Sequence, residues 1–250
     1  MKNRTILMGY IDWSKIHQQE KSWRQQILGD APSEYVLNRY FRLFFESFKG
    51  NTPLSFLELG SGNGDISSFI VNAKLPFVGR YVTSEYFTEG VEWLRSRGLE
   101  ALLLDAHNID LPDESFDVVI SFDVMHHVND PQAMAREMVR VSKGRLLLTE
   151  ANGLSIGRKI MELAPGHKVA GERSYSPSHY LHFFSTIESI KITKINMYPF
   201  LFVLKTPPFL VKSVITLSRI METVPFLRWQ CATVCLDIEF VRLKKGQPYD

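Results

Sequence analysis

Short apolar runs alternate with helix-spaced stretches along most of the chain. Runs near 54–59, 78–84, 100–104, 116–122 and 145–150 are rich in Leu, Val, Ile and Phe. Several end on an acid, as expected for strands buried on both faces and capped at a sheet edge. Between them, apolar residues recur at three- and four-residue steps near 64–73, 87–97 and 131–141, the spacing of helices that bury one side. Asp130 is placed to cap the last of these helices, and Pro131 falls in its first turn. A helical leader comes first. Trp13, Ile16, Trp23 and Ile27 predict a helix over about 13–28, and Tyr35, Leu37, Tyr40, Phe41, Phe44, Phe45 and Phe48 predict one over 33–48. Strands near 189–197 and 231–242 complete the series, the last antiparallel. This α/β alternation predicts a mostly parallel sheet with helices on both faces and a ligand at the carboxyl ends of the strands.

The first strand runs into Glu58-Leu59-Gly60-Ser61-Gly62-Asn63-Gly64, an E-x-G-x-G-x-G turn leading into a helix. Alternate glycines open positive φ and remove Cβ atoms, so a ligand can lie against the backbone. Dinucleotide enzymes use G-x-G-x-x-G and a helix N-terminus for a diphosphate. Here the strand ends in a carboxylate, which suits a cationic or neutral ligand. From about Leu54 to Glu150 the sequence resembles class I S-adenosylmethionine-dependent methyltransferases, specifically the small-molecule group with this first motif. The resemblance implies a Rossmann-like, doubly wound, mostly parallel seven-stranded sheet with an antiparallel last strand. It also implies an N-terminal helical lid and a small insertion before the sixth strand. S-adenosylmethionine would be the cofactor and S-adenosylhomocysteine the product, with Glu58, Gly60, Ser61, Gly62 and Gly64 binding it and Gly60, Ser61 and Gly62 under its methionine part. The alternative is a glycine turn that only connects strand to helix.

The same resemblance distributes further roles. Glu85, 21 residues after Gly64, stands at the second strand end as the acceptor for ribose hydroxyls, although Tyr81 occupies the position where the family carries its G-x-D acid. Tyr86 is placed to lie against adenine or to begin the next helix core. Asp105 and Ala106, after the third strand, inherit the contacts to adenine. Ser121 and Phe122 would border the cofactor, and the following loop would face the acceptor. His126, His127 and Asp123 are the candidates for a general base, against a packing role for each. Transfer itself would be direct in-line displacement from the sulfonium to oxygen, nitrogen or carbon.

At 250 residues, 45% hydrophobic and 12% aromatic, the chain can form a single domain: leader and lid in 1–50, cofactor core in 51–150, acceptor side and final strands in 151–250. Charge is uneven. Residues 51–150 carry eight Lys and Arg against fifteen Asp and Glu, whereas 151–250 carry thirteen against seven. The basic residues form no stripe interleaved with aromatics, so no nucleic-acid partner is expected, and the Asn/Asp-Pro-Pro-Tyr/Phe motif of DNA amino-methylating enzymes is missing. No metal is expected. The short apolar stretch before Asp12 fits neither a secretion signal nor a spanning helix, and a cytoplasmic protein is expected. Cys231 and Cys235, placed in one strand, read as reduced thiols.

Acceptor-side candidates are Tyr10, Trp13, Trp23 and Tyr40 from the leader, against a helix packed on the sheet edge, and Tyr175, His179, Tyr180 and His182 from the insertion. The apolar stretch 207–227 has three readings: a cap helix, a dimer contact, or a surface for a lipid-like acceptor or membrane. The partner expected is a small, possibly lipophilic molecule, with the protein a monomer or homodimer. Two rival functions stay open, a non-catalytic S-adenosylmethionine-binding protein and an NAD(P)-dependent oxidoreductase.

Overall fold

The computed structural model describes residues 30–163, 173–201 and 207–243. The expected helix over 13–28, with Tyr10, Trp13 and Trp23, lies outside them. Seven strands form one sheet: β1 (Leu54–Leu59), β2 (Val78–Glu85), β3 (Glu100–Leu103), β4 (Phe116–Phe122), β5 (Ser142–Ala151), β6 (Ile190–Phe200) and β7 (Thr233–Arg242). Their order is β3-β2-β1-β4-β5-β7-β6, parallel from β3 to β5, with β7 antiparallel between β5 and β6. The chain winds outward from β1 to β3 and then returns to β4 on the other side. The order therefore reverses between β1 and β4, and a crevice opens at their carboxyl ends.

Alternation along the strands divides the core into two layers. Phe56 of β1 and Val118, Ile120 and Phe122 of β4 face α1 (Asp30–Phe48) and α2 (Asp65–Asn72), where they meet Tyr40, Phe44, Ile66 and Ile70. Leu57, Leu59 and Val119 face the opposite layer. There α4 (Pro131–Val141) buries Met134, Ala135 and Met138, and α6 (Pro177–Ser185) buries Tyr180 and Phe184. Between β2 and β3, α3 (Thr88–Ser96) packs Val91 and Leu94 onto Leu99 and Ala101. Asp130 caps α4 as its position predicts, accepting from the Ala133 N–H at 2.9 Å.

Two excursions leave the carboxyl side of the sheet. One carries α5 (Ile156–Met161), capped by Ser155, and leads on to α6. The other joins β6 to β7 and carries α7 (Val211–Thr223) between 3-10 turns at Pro208–Leu210 and Arg228–Gln230. Its inner face, with Ser218 and Met221 buried, is held on α1. Arg39 pairs with Glu222, and the Tyr35 hydroxyl donates to Ser218 Oγ at 3.4 Å. The segment is thus a cap helix on its inner side, with its outer side open. Among the described residues no helix is long and apolar enough to cross a membrane. Cys231 follows the second 3-10 turn instead of opening the last strand, and only Cys235 lies within β7. Both are buried free thiols, and burial pushes Cys231 up to about 12.

Candidate functional site

The glycine turn after β1 adopts the backbone its sequence requires. Gly60, Gly62 and Gly64 have φ of 63°, 60° and 75°, a region that side-chain-bearing residues enter only at a cost. A Cβ on Gly60 would stand 2.8 Å from Val124 Cγ2, and one on Gly64 2.7 Å from Leu94 Cδ2. The loop is therefore fitted between the segment after β4 and helix α3. Three of its backbone donors are engaged within the protein. The Ser61 N–H donates to Ser84 O at 2.9 Å, the Gly62 N–H to Glu85 Oε1 at 2.6 Å, and the Gly64 N–H to Ser61 O at 3.0 Å. A phosphate cradle needs converging, unspent N–H groups. This loop has spent three of them and has a carboxylate in their midst.

That carboxylate belongs to Glu85, at the tip of β2. Burial pushes it up to about 7, against the pull of the Gly62 and Tyr86 N–H groups. Each oxygen accepts one backbone N–H, leaving lone pairs suited to ligand hydroxyls. Glu58 has a different setting. It is buried on the α2 side of the sheet, accepting from Ser67 Oγ at 2.6 Å and from the Tyr81 hydroxyl at 2.8 Å. Tyr81, which breaks the expected family pattern in β2, thus supplies the donor that a buried carboxylate beneath the loop requires. Asp105 lies after β3, partly exposed. The His107 backbone N–H holds its carboxyl below the usual range, with the His107 ring Nδ1 also 2.8 Å away. Ala106 is half-buried beside it, and Tyr86 is exposed next to Glu85.

Across the reversal point, Ser121 and Phe122 are buried at the end of β4, and Phe122 meets Tyr40 edge-on with ring centroids 5.6 Å apart. Asp123 follows with φ 61°. Its N–H donates to Thr149 O at 2.7 Å, and its carboxylate accepts from the Tyr40 hydroxyl and, at 3.4 Å, from Thr149 Oγ1. Glu150, fully buried at the tip of β5, fastens the next turn. It accepts from the N–H groups of Val124 (3.2 Å), Met125 (2.8 Å) and His126 (3.2 Å), and His126 Nδ1 lies 2.7 Å from its Oε2. Burial pushes Glu150 up to about 7. His126 is buried in this clamp, whereas His127 is exposed, with its ring 4.0 Å from that of His126.

On the insertion, Tyr175 and His179 face each other with centroids 5.0 Å apart, half-buried and exposed respectively. Tyr180 is fully buried. Its hydroxyl donates to Ala151 O at 3.0 Å and accepts from the Tyr175 N–H at 3.3 Å, which makes it a post beneath this segment. Among the described residues no group of three or more His, Cys, Asp and Glu side chains is arranged to hold a metal.

Sequence reasoning missed the work of Tyr40 and Glu150. The available signal for Glu150 was its place: it ends an apolar strand as Glu58 and Glu85 do.

Residues 57–148 match the family model of the methyltransferase domain. Over those residues the chain is similar to methyltransferase domains. Its likeness to relatives is partial. A probable tRNA methyltransferase 9B of Homo sapiens is 37% identical over 87 residues, 34% of this chain and 18% of that protein. A ubiquinone/menaquinone biosynthesis C-methyltransferase of Shewanella woodyi is 27% identical over 136 residues, 51% of this chain and 54% of that one. The chain thus spans 18% to 54% of the length of these curated relatives. The fold match is broader. A SAM-dependent methyltransferase from Archaeoglobus fulgidus superposes with a TM-score of 0.62 at 12% identity, covering 87% of this chain and 97% of that one. Around the glycine loop, the spent N–H groups and the buried Glu85 fit S-adenosylmethionine, which has hydroxyls and positive charge but no phosphate.

Proposed function

We propose that the chain transfers a methyl group from S-adenosylmethionine to a small-molecule acceptor. The observation that carries this reading is the state of the glycine loop: its donors are occupied and Glu85 sits among them, so the crevice receives a nucleoside without phosphate. In this reading Glu85 accepts from the ribose hydroxyls, and Asp105 with the Ala106 backbone reads the adenine edge. Gly60, Ser61 and Gly62 border the methionine part, Ser121 and Phe122 wall the opposite side, and the Glu58 pair with Tyr81 keeps the loop in register from below. When bound, the cofactor supplies an electrophilic methyl group on a sulfonium. The chain's own share is alignment and exclusion of water, because charge disperses as the methyl moves. Asp123, fixed by Tyr40 on the acceptor side of the β4 tip, orients an acceptor bearing N–H or O–H groups. His127, exposed beside it, is the candidate for taking up a proton.

Calorimetric titration with S-adenosylhomocysteine and with NADH tests the carrying observation. Binding of the first and silence with the second is expected; the opposite result overturns the reading in favour of an oxidoreductase. Incubation with isotopically labelled methyl donor and a metabolite extract, read by mass spectrometry, then separates an enzyme from a binding protein. Label appearing in a small molecule supports catalysis. Tight binding with no labelled product across such extracts supports the binding protein.

A further inference from the structure

The two excursions from the carboxyl rim each carry exposed apolar side chains. Ala151 at the end of β5, Thr233 at the start of β7 and Phe200 at the end of β6 are consecutive partners across the sheet, so both excursions leave or return at the edge that carries the crevice. They are joined to each other. Asn152 Nδ2 donates to Trp229 O at 3.0 Å and Cys231 O at 2.9 Å, Ser155 Oγ donates to Gln230 O at 2.9 Å, and the Ile156 N–H donates to Gln230 Oε1 at 3.0 Å. Across these joined excursions Phe209 is 81% exposed, Phe226 76%, Ile156 65% and Ile160 63%, with Leu217 and Ile220 also exposed along α7.

We infer that these excursions dock the protein on an anionic lipid bilayer, with the crevice edge toward the membrane. Charge selects that occupant. Lys212 and Arg219 are exposed on one flank of α7, seven residues and two turns apart, beside Leu217 and Ile220. The one acid in 207–230 is Glu222, which faces inward and pairs with Arg39. A helix with aromatic residues at both ends, an aliphatic strip and a basic flank has the make-up of one lying in a bilayer interface. A second copy fits less well, since a two-fold contact would set the same basic flank against itself with no exposed acid on α7 to answer it. That the methyl acceptor is met at the lipid surface rests on the function proposed above; the docking does not.

The test is co-sedimentation of the full chain with phosphatidylcholine vesicles, with and without phosphatidylglycerol, alongside S-adenosylhomocysteine calorimetry on the same preparations. Partition to the phosphatidylglycerol vesicles is expected to fall about fivefold for each of Lys212→Gln and Arg219→Gln and to fall in high salt. The double variant Phe209→Ser/Phe226→Ser is expected to lose partition while binding S-adenosylhomocysteine as the native protein does. The inference is overturned if the native chain stays in the supernatant, or if the variants pellet equally. It is also overturned if analytical ultracentrifugation shows a dimer that these substitutions dissociate. Vesicle binding without nucleoside binding would sink the proposed function and leave the docking intact.

Discussion

The Tyr40 hydroxyl on α1 is hydrogen-bonded to the carboxylate of Asp123 at the tip of β4, joining the first described helix to the centre of the crevice. Asp123 has a left-handed backbone, at φ 61°, a conformation that costs a non-glycine residue about 1 kcal/mol. Bonds to Thr149 from the next strand and to Tyr40 from the overlying layer hold it there. Part of the segment before the first motif is thus a fixed wall of the site.

Replacing Tyr40 with Phe removes the donor and leaves the ring. A hydrogen bond to a charged group contributes about 1.5–3 kcal/mol, so urea unfolding should show a stability loss of that order. Affinity for S-adenosylhomocysteine should change little, because the proposed function places Tyr40 with Asp123 on the acceptor side. A stability change below about 0.5 kcal/mol would mean the bond contributes nothing net.

On the proposed function, Glu85 gives nucleoside binding a pH dependence. Burial holds the carboxyl up at about 7 in the protein alone, and ribose hydroxyls donating to it favour its ionised form. Affinity for S-adenosylhomocysteine should therefore rise as pH increases through about 7, with protons released on binding. Calorimetry in buffers of different ionisation enthalpy measures both effects. A flat profile between pH 6 and 8 would count against the ribose role (roughly one unit either side of the shifted value).

Glu150 bears on stability in the same region of pH. Its pKa in the folded protein is raised from 4.5 to about 7, so the folded state holds a proton that the unfolded chain releases. The stability this confers is present below about 4.5 and disappears as pH rises through about 7. Thermal unfolding should show the protein weakening across that window, with Glu85 adding a second contribution of the same sign. In Glu150→Gln the slope should be smaller, retaining the Glu85 share. An unchanged slope would assign the effect elsewhere.

Gly60→Ala should damage both fold and site. The new methyl would meet Val124 at 2.8 Å and the backbone would keep its positive φ, so a loss of about 1–3 kcal/mol is expected. Because the proposed function sets Gly60 against the methionine part of the cofactor, S-adenosylhomocysteine affinity should drop as well. A variant with native stability and affinity would show that the loop is not confined in this way.

Much of the architecture was legible because buried strands and one-sided helices leave periodic traces. The expected strands at 54–59 and 116–122 and the helix at 131–141 coincide with β1, β4 and α4. Where the reading stopped short, local chemistry explains it. β6 continues through Pro199 to Phe200, and a residue without an amide hydrogen is tolerated there because β6 is at the edge of the sheet. β5 begins early, at Ser142, where the register with β4 shifts between Phe116 and Val118. In the site, the glycine turn and the acids at strand tips could be seen in the sequence. The orientation of those acids could not: whether a carboxylate faces ligand or core depends on donors from distant segments, such as Tyr81 for Glu58 and the turn at Val124 to His126 for Glu150.

The internally satisfied turn after β1 also determines which abundant metabolites compete for the crevice. ATP, GTP and the pyridine dinucleotides share adenine-like or ribose features with the expected ligand, yet each would have to bring its anionic chain against the Glu85 carboxylate with those three amides already taken. On the proposed function, rejection of these competitors would be built into the resting backbone and would require no gate to close.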